Sequence, residues 1–148
     1  MQDYPHNYVV AASAQSDSNV TLSSPGLSNL ESAAPAEFGG PGDQWSPETL
    51  LVASVADCFI LSFKAIARAS KLDWTSLSCD VDGVLERVDR VTHFTAFNIR
   101  ATLEISESTR AEKAERLLAM ADKSCLITNS LIAGSNLETE VKVAGLAA

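Results

Sequence analysis

Ser46-Pro47-Glu48-Thr49-Leu50-Leu51-Val52-Ala53-Ser54-Val55-Ala56-Asp57-Cys58-Phe59-Ile60-Leu61-Ser62-Phe63-Lys64 is the stretch on which the fold turns. Its first three residues form a helix start. They offer a hydroxyl for the N-cap, a proline at the first helical position, and an acid beside the positive end of the helix dipole. Leu, Val, Ala, Phe and Ile then run to about Ser70 with few polar interruptions. Such a helix would span ~36 Å, but Asp57 near its middle and Lys64 and Arg68 after it leave the uninterrupted apolar run too short for a membrane. A helix apolar nearly all round is one buried on several sides. It is expected at the centre of the fold, and one small sheet with two short helices would scarcely cover it. A second copy of the chain is the economical cover.

Upstream, Tyr8–Ala14 and Val20–Ser23 read as strands around the turn-like Gln15–Asn19, with a short third strand at Leu27–Leu30 after the Pro25-Gly26 break. Gly39-Gly40-Pro41-Gly42 is a loop. Downstream, Leu77, Cys79 and Val81 share a strand face until the alternation slips near Gly83, the sign of a bulge. Phe97, Ile99, Ala101, Leu103 and Ile105 alternate with polar residues and form a half-buried strand, joined to the previous one as a hairpin through Asp89–Thr92. Thr109-Arg110-Ala111-Glu112 reads as a capping box opening a helix with Ala111, Ala114, Leu117, Leu118 and Ala121 on one face. Ser124 can cap a short helix, Cys125–Ile132, closed by Gly134, and Leu137–Val143 reads as a last strand. The order of strands, long helix, hairpin, two helices and strand predicts an α+β fold rather than βαβ units, in one domain over residues 1–148.

The 148 residues carry a net charge of −8, which argues against nucleic acid or an anionic membrane as partner. The charge is uneven. Residues 1–63 hold seven acids and no Lys or Arg, so a site there that needs a cation must borrow it. Three widely spaced cysteines suit neither a disulfide framework nor a CxxC metal knuckle. With no basic start and apolar run at Met1–His6, the expectation is a cytoplasmic protein with reduced thiols.

His6 and His93 have no thiol or carboxylate at ligand spacing, so no metal site is expected. The thiols remain. Cys79, on the apolar face of a strand, reads as a small structural hydrophobe. Cys58, mid-helix beside Asp57, reads by itself as a buried, inert thiol of high pKa. Cys125 opens a short helix close to Lys123, where unpaired N–H groups lower a thiol pKa, and is the more acidic of the two.

Pro35-Ala36-Glu37-Phe38-Gly39-Gly40-Pro41-Gly42 followed by Ser46-Pro47-Glu48-Thr49-Leu50-Leu51 and Cys58 resembles the first signature of the osmotically induced protein and organic hydroperoxide resistance (OsmC/Ohr) family. There a glycine-rich loop leads through Pro-Glu-x-Leu-Leu to a cysteine in the central helix. Ser124-Cys125-Leu126-Ile127-Thr128-Asn129-Ser130-Leu131 resembles its second motif, Cys-Pro-Val-Ser-x-x-Leu, with Leu126 where the family has proline. The element order agrees from about residue 6 onward.

The resemblance implies antiparallel sheets around the central helix in an intertwined homodimer, with a site at the subunit interface and thiol peroxidase chemistry. Carried over, Cys58 is the peroxidatic thiolate that reduces an organic hydroperoxide and becomes a sulfenic acid. Cys125 is the resolving thiol, and a dithiol such as a lipoyl group reduces the resulting disulfide. No bound cofactor is implied. Leu51, Val55, Phe59 and Phe38 would give the substrate pocket its apolar character. Glu48 matches a family glutamate that orients an arginine onto the peroxidatic thiolate, and here the chain departs from the family: no arginine precedes Lys64. Losing such a charge at ~4–6 Å raises a thiol pKa by about 1–3. A cation from the hairpin of either subunit (Arg87, Arg90), His6, or a protonated Glu48 could substitute. The alternative reading is a family member that binds a small apolar or disulfide-containing ligand with little peroxidase activity.

Overall fold

The computed structural model describes residues 1–145. The chain forms two compact units, Met1–Leu50 and Leu51 onward. In the first, β1 (Ala11–Ser13), β2 (Val20–Ser23) and β3 (Leu30–Ser32) make an antiparallel sheet in the order β1-β2-β3. The third strand lies later than the sequence suggested. Leu27 belongs to the turn before it, its N–H bonded to the Ser24 carbonyl at 3.1 Å. A 3-10 turn at Ala36–Phe38 follows, ended by Gly39 at φ 80°. Beside it, a Cβ on Gly40 would stand 1.6 Å from the Ala34 carbonyl oxygen, so only glycine fits.

Helix α1 (Pro47–Ala69) starts where Ser46 and Thr49 cap it reciprocally. The Thr49 N–H donates to Ser46 Oγ at 3.1 Å, and the Ser46 N–H donates to Thr49 Oγ1 at 2.8 Å. That closes the orphan donors of the first turn. In the second unit, β4 (Trp74–Val88) and β5 (Val91–Ile105) form a long antiparallel hairpin turning on Asp89 and Arg90, both with positive φ. Helix α2 (Ala111–Ser124) then crosses to β6 (Gly134–Val143), which pairs in parallel with β5, giving the order β4-β5-β6. The antiparallel expectation therefore holds for the hairpin, while β5-α2-β6 is one βαβ crossover, the connection a parallel pair requires.

The core is the meeting of three stripes. Val55, Phe59, Phe63 and Ala67 recur every fourth residue on α1. Phe97, Ile99, Ala101, Leu103 and Ile105 occupy one face of the central strand β5, and Ala114, Leu117, Leu118 and Ala121 come from α2. Phe63 meets Trp74 edge to face, ring centroids 5.4 Å apart. The rest of α1 is far less covered. Its most apolar 18 residues have a mean hydropathy of 2.0, enough to cross a membrane by length and composition, yet only 28% of them are buried within the chain.

The alternation slips beside Gly83 as expected: the bulge falls between Val84 and Leu85, and Gly83 keeps its place opposite Phe97. Two local expectations are corrected. The N-cap of α2 is Arg110, with no side-chain cap, because the Thr109 hydroxyl donates instead to the Asp73 carbonyl at 2.8 Å. The short helix expected over Cys125–Ile132 shrinks to a 3-10 turn at Thr128–Ser130, and Gly134 begins β6 rather than ending a helix.

Candidate active site: a pair of thiols

Cys58 sits in the middle of α1, half-buried, where the backbone N–H groups are committed to the helix. Its sulfur lies 3.9 Å from Ser62 Oγ, one turn on. Cys125 is 1% exposed and comes just after α2 with an extended backbone, φ −64° and ψ 108°. Its carbonyl accepts the Asn129 N–H at 3.0 Å and the Thr128 hydroxyl at 3.1 Å. An extended residue whose carbonyl receives the first helical bond is an N-cap. Cys125 therefore caps the turn that follows it. The two thiols are neighbours, although 67 residues separate them in the chain.

The environments push the thiols apart. Burial raises Cys58 above the ordinary thiol range, and its hydrogen bond with Cys125 and the charge there push the same way, against smaller help from the Ile127 N–H and Ser62. Burial would also raise Cys125, but the Thr128 hydroxyl and N–H, the Cys58 thiol and the Ile127 N–H together bring it below that range. Cys79, on β4, is pushed up to about 11 by burial, by Asp80 and by Cys125. All three cysteines are free thiols.

Thr128 and the Ile127 amide were not among the residues singled out from sequence. The signal was present in the three-residue step from Cys125 to Thr128, the spacing of a cap and the amide it receives. Of the expected pocket residues, Val55 and Phe59 are fully buried in the core and present no surface to a ligand. Leu51 does line a cavity of about 340 Å³, with Phe94, Phe97, Leu131, Ile132 and Ala133 as apolar walls and His93 and Ser130 at its polar part. Phe38 is 59% exposed in the first unit. Glu48, also in that unit, has one carboxylate oxygen, Oε2, buried without a hydrogen-bond partner. No cluster of three or more His, Cys, Asp or Glu suited to a metal occurs among the described residues.

The profile of the OsmC-like protein family matches residues 40–140, a span holding both cysteines of the pair. The chain belongs to that family. Among curated relatives, the uncharacterised protein YmaD of Bacillus subtilis is 23% identical over 112 residues, covering 74% of this chain and 75% of YmaD. An OsmC-like protein of unknown function from Vibrio cholerae superposes with a TM-score of 0.84 at 19% identity, covering 91% of this chain and 99% of that one. The organic hydroperoxide resistance protein OsmC of Legionella pneumophila gives 0.74 at 23% identity, covering 95% and 100%. An organic hydroperoxide resistance protein from Elizabethkingia anophelis gives 0.76 at 16% identity, covering 96% and 99%. The α+β architecture is thus the OsmC-like fold.

Proposed function

We propose that this OsmC-like protein is a thiol-dependent peroxidase for organic hydroperoxides, working through Cys58 and Cys125. The observation that carries the reading is the nearness of these two thiols, one from the middle of α1 and one from the end of α2. Family membership and fold neighbours named for organic hydroperoxide resistance support it. Cys58, the less buried of the two, is the sulfur a peroxide reaches, and it becomes a sulfenic acid as alcohol is released. Cys125 then condenses with it to a disulfide, which spares Cys58 further oxidation. An external dithiol of the lipoyl type returns the pair to its reduced state by exchange. The cytoplasm is the compartment in which such thiols stay reduced between turnovers.

The working form is a homodimer, with the second copy covering the part of α1 its own chain leaves open. Leu61, 55% exposed on that helix, belongs to the covered surface. Glu48 Oε2 supports the same view, since a buried acceptor left unpaired costs about 1–3 kcal/mol, and a donor from the partner would relieve it.

The test is peroxide consumption with cumene hydroperoxide and a dithiol. Wild-type protein turns over and shows one intrachain Cys58–Cys125 disulfide by mass spectrometry, and Cys58→Ser abolishes both. An unchanged rate in that variant defeats the proposal. One observation favours a second reading: Cys58 is held above the ordinary thiol range. On that reading the chain binds a small apolar or disulfide-containing ligand with little catalysis. Binding of such a ligand with no turnover of any organic hydroperoxide would select it.

A further inference from the structure

We propose that α1 pairs antiparallel with α1 of a second copy, with Leu61 at the two-fold axis and Asp57 of each chain set against the partner's Lys64. The inference rests on the homodimer reading and deepens it. It assigns the helix face, the direction and the register of the contact.

The face comes from spacing. Val55, Phe59, Phe63 and Ala67 turn one side of α1 into the core of their own chain. With 3.6 residues per turn, the opposite side carries Ser54, Asp57, Leu61, Lys64 and Arg68, in alternating steps of three and four. That is the spacing of a helix that packs along another helix. Asp57, Leu61, Lys64 and Arg68 are exposed and Ser54 is half-buried. The Ser54 hydroxyl is tied back to the Leu51 carbonyl at 2.6 Å, so this position presents a small step to a neighbour. Leu61, 55% exposed, is the large apolar side chain in the middle of the stripe.

The direction comes from charge. Asp57 precedes Leu61 on the stripe, while Lys64 and Arg68 follow it. None of the three joins an ion pair within the chain, whose one such pair among the described residues is Lys142–Glu140 at 3.6 Å. A parallel pair of helices would set Asp57 against Asp57 and Lys64 against Lys64. An antiparallel pair, which a two-fold axis across the helix produces, sets the acidic end of each stripe against the basic end of the other. Like charges face to face cost more than an exposed ion pair gains, so the parallel arrangement is the one the sequence rejects.

The register comes from the axis. With Leu61 against Leu61 of the partner subunit, each residue after it stands level with the residue equally far before it on the other chain. The partner's Lys64 is then level with Cys58 and one step from Asp57, within reach of a lysine side chain. Arg68 of the partner subunit comes level with Ser54, where the small side chain leaves room for a guanidinium. The second copy thereby brings a base to the turn of α1 that carries Cys58, at the end of a stretch, residues 1–63, with no Lys or Arg of its own.

The experiment has two readouts on the full-length protein. The first treats wild type with a zero-length carbodiimide, which joins a carboxylate to an amine in contact with it. A dimer-mass band whose linked peptides join Asp57 to Lys64 is expected. Within one chain these residues stand ~10.5 Å apart along the helix, out of range of such a bond. The second is the dimer dissociation constant by sedimentation. Asp57→Lys and Lys64→Asp should each raise it by about tenfold or more, and the double variant should bring it back to within about threefold of wild type. A dimer band without the Asp57–Lys64 link overturns the pairing and leaves the homodimer standing. So do single variants as tight as wild type, or a double variant no tighter than the singles. A wild-type monomer removes the homodimer and the pairing together.

Discussion

Val52 on α1 and Gly83 on β4 approach so closely that a Cβ on Gly83 would stand 2.6 Å from Val52 Cγ2 and 3.0 Å from the Phe94 ring. The helix rests on the hairpin at this point, and the missing side chain sets the spacing. Gly83→Ala is expected to destabilise the protein by about 1–3 kcal/mol through overpacking, read as a lower urea midpoint at unchanged slope. Val52→Ala in the same background should recover part of the loss. A neutral Gly83→Ala would mean that the helix can lift off the strand without cost.

The uncapped start of α2 offers the opposite sign. Arg110 is at the N-cap and its side chain bonds none of the first amides. Arg110→Ser should therefore stabilise the protein by about 0.5–1 kcal/mol. Thr109→Ala should cost about 0.5–1.5 kcal/mol, since the hydroxyl it removes holds the Asp73 carbonyl. Thermal or urea melts of the two variants check both signs.

Native Cys79 should resist alkylation. With its thiol pushed up to about 11, chiefly by burial and then by Asp80, almost none is thiolate at pH 8, and the reactive fraction grows only as pH climbs toward that value. Peptide mapping after iodoacetamide treatment of folded protein should find Cys79 unmodified at pH 8 and Cys58 modified ahead of it. Early labelling of Cys79 would contradict its placement on the core side of β4.

The open part of α1 makes a prediction about mass in solution. A chain of 15.7 kDa should sediment at twice that value, and Leu61→Glu should shift it toward the monomer. Analytical ultracentrifugation at low micromolar concentration decides it. A wild-type monomer would remove the second copy from the proposal.

The elements readable from sequence were those with strong local signals. Ser46-Pro47-Glu48 announced α1, and the alternation from Phe97 to Ile105 announced β5. Where local reading failed, a distant group competed. Thr109 looks like a cap until the Asp73 carbonyl, 36 residues away, takes its hydroxyl. Gly83 stands beside the bulge, but its need to be glycine comes from Val52, which arrives from another element. The parallel pairing of β6 could not be read from Leu137–Val143, because strand direction depends on the crossover and leaves no mark on side-chain period. The weighting of Cys125 as the more acidic thiol rests on its place at the start of a turn, and the turn found there is a short 3-10 piece tied back to the Cys125 carbonyl by the Thr128 hydroxyl rather than the helix the sequence suggested.

The long interval between Cys58 and Cys125 has a consequence for endurance. A covalent clasp between them would close a loop of 67 residues, and the loss of chain freedom in the unfolded state would be worth about 4 kcal/mol. Freshly oxidised molecules would then outlast reduced ones on heating, so that a melting curve would record how recently the protein had met an oxidant.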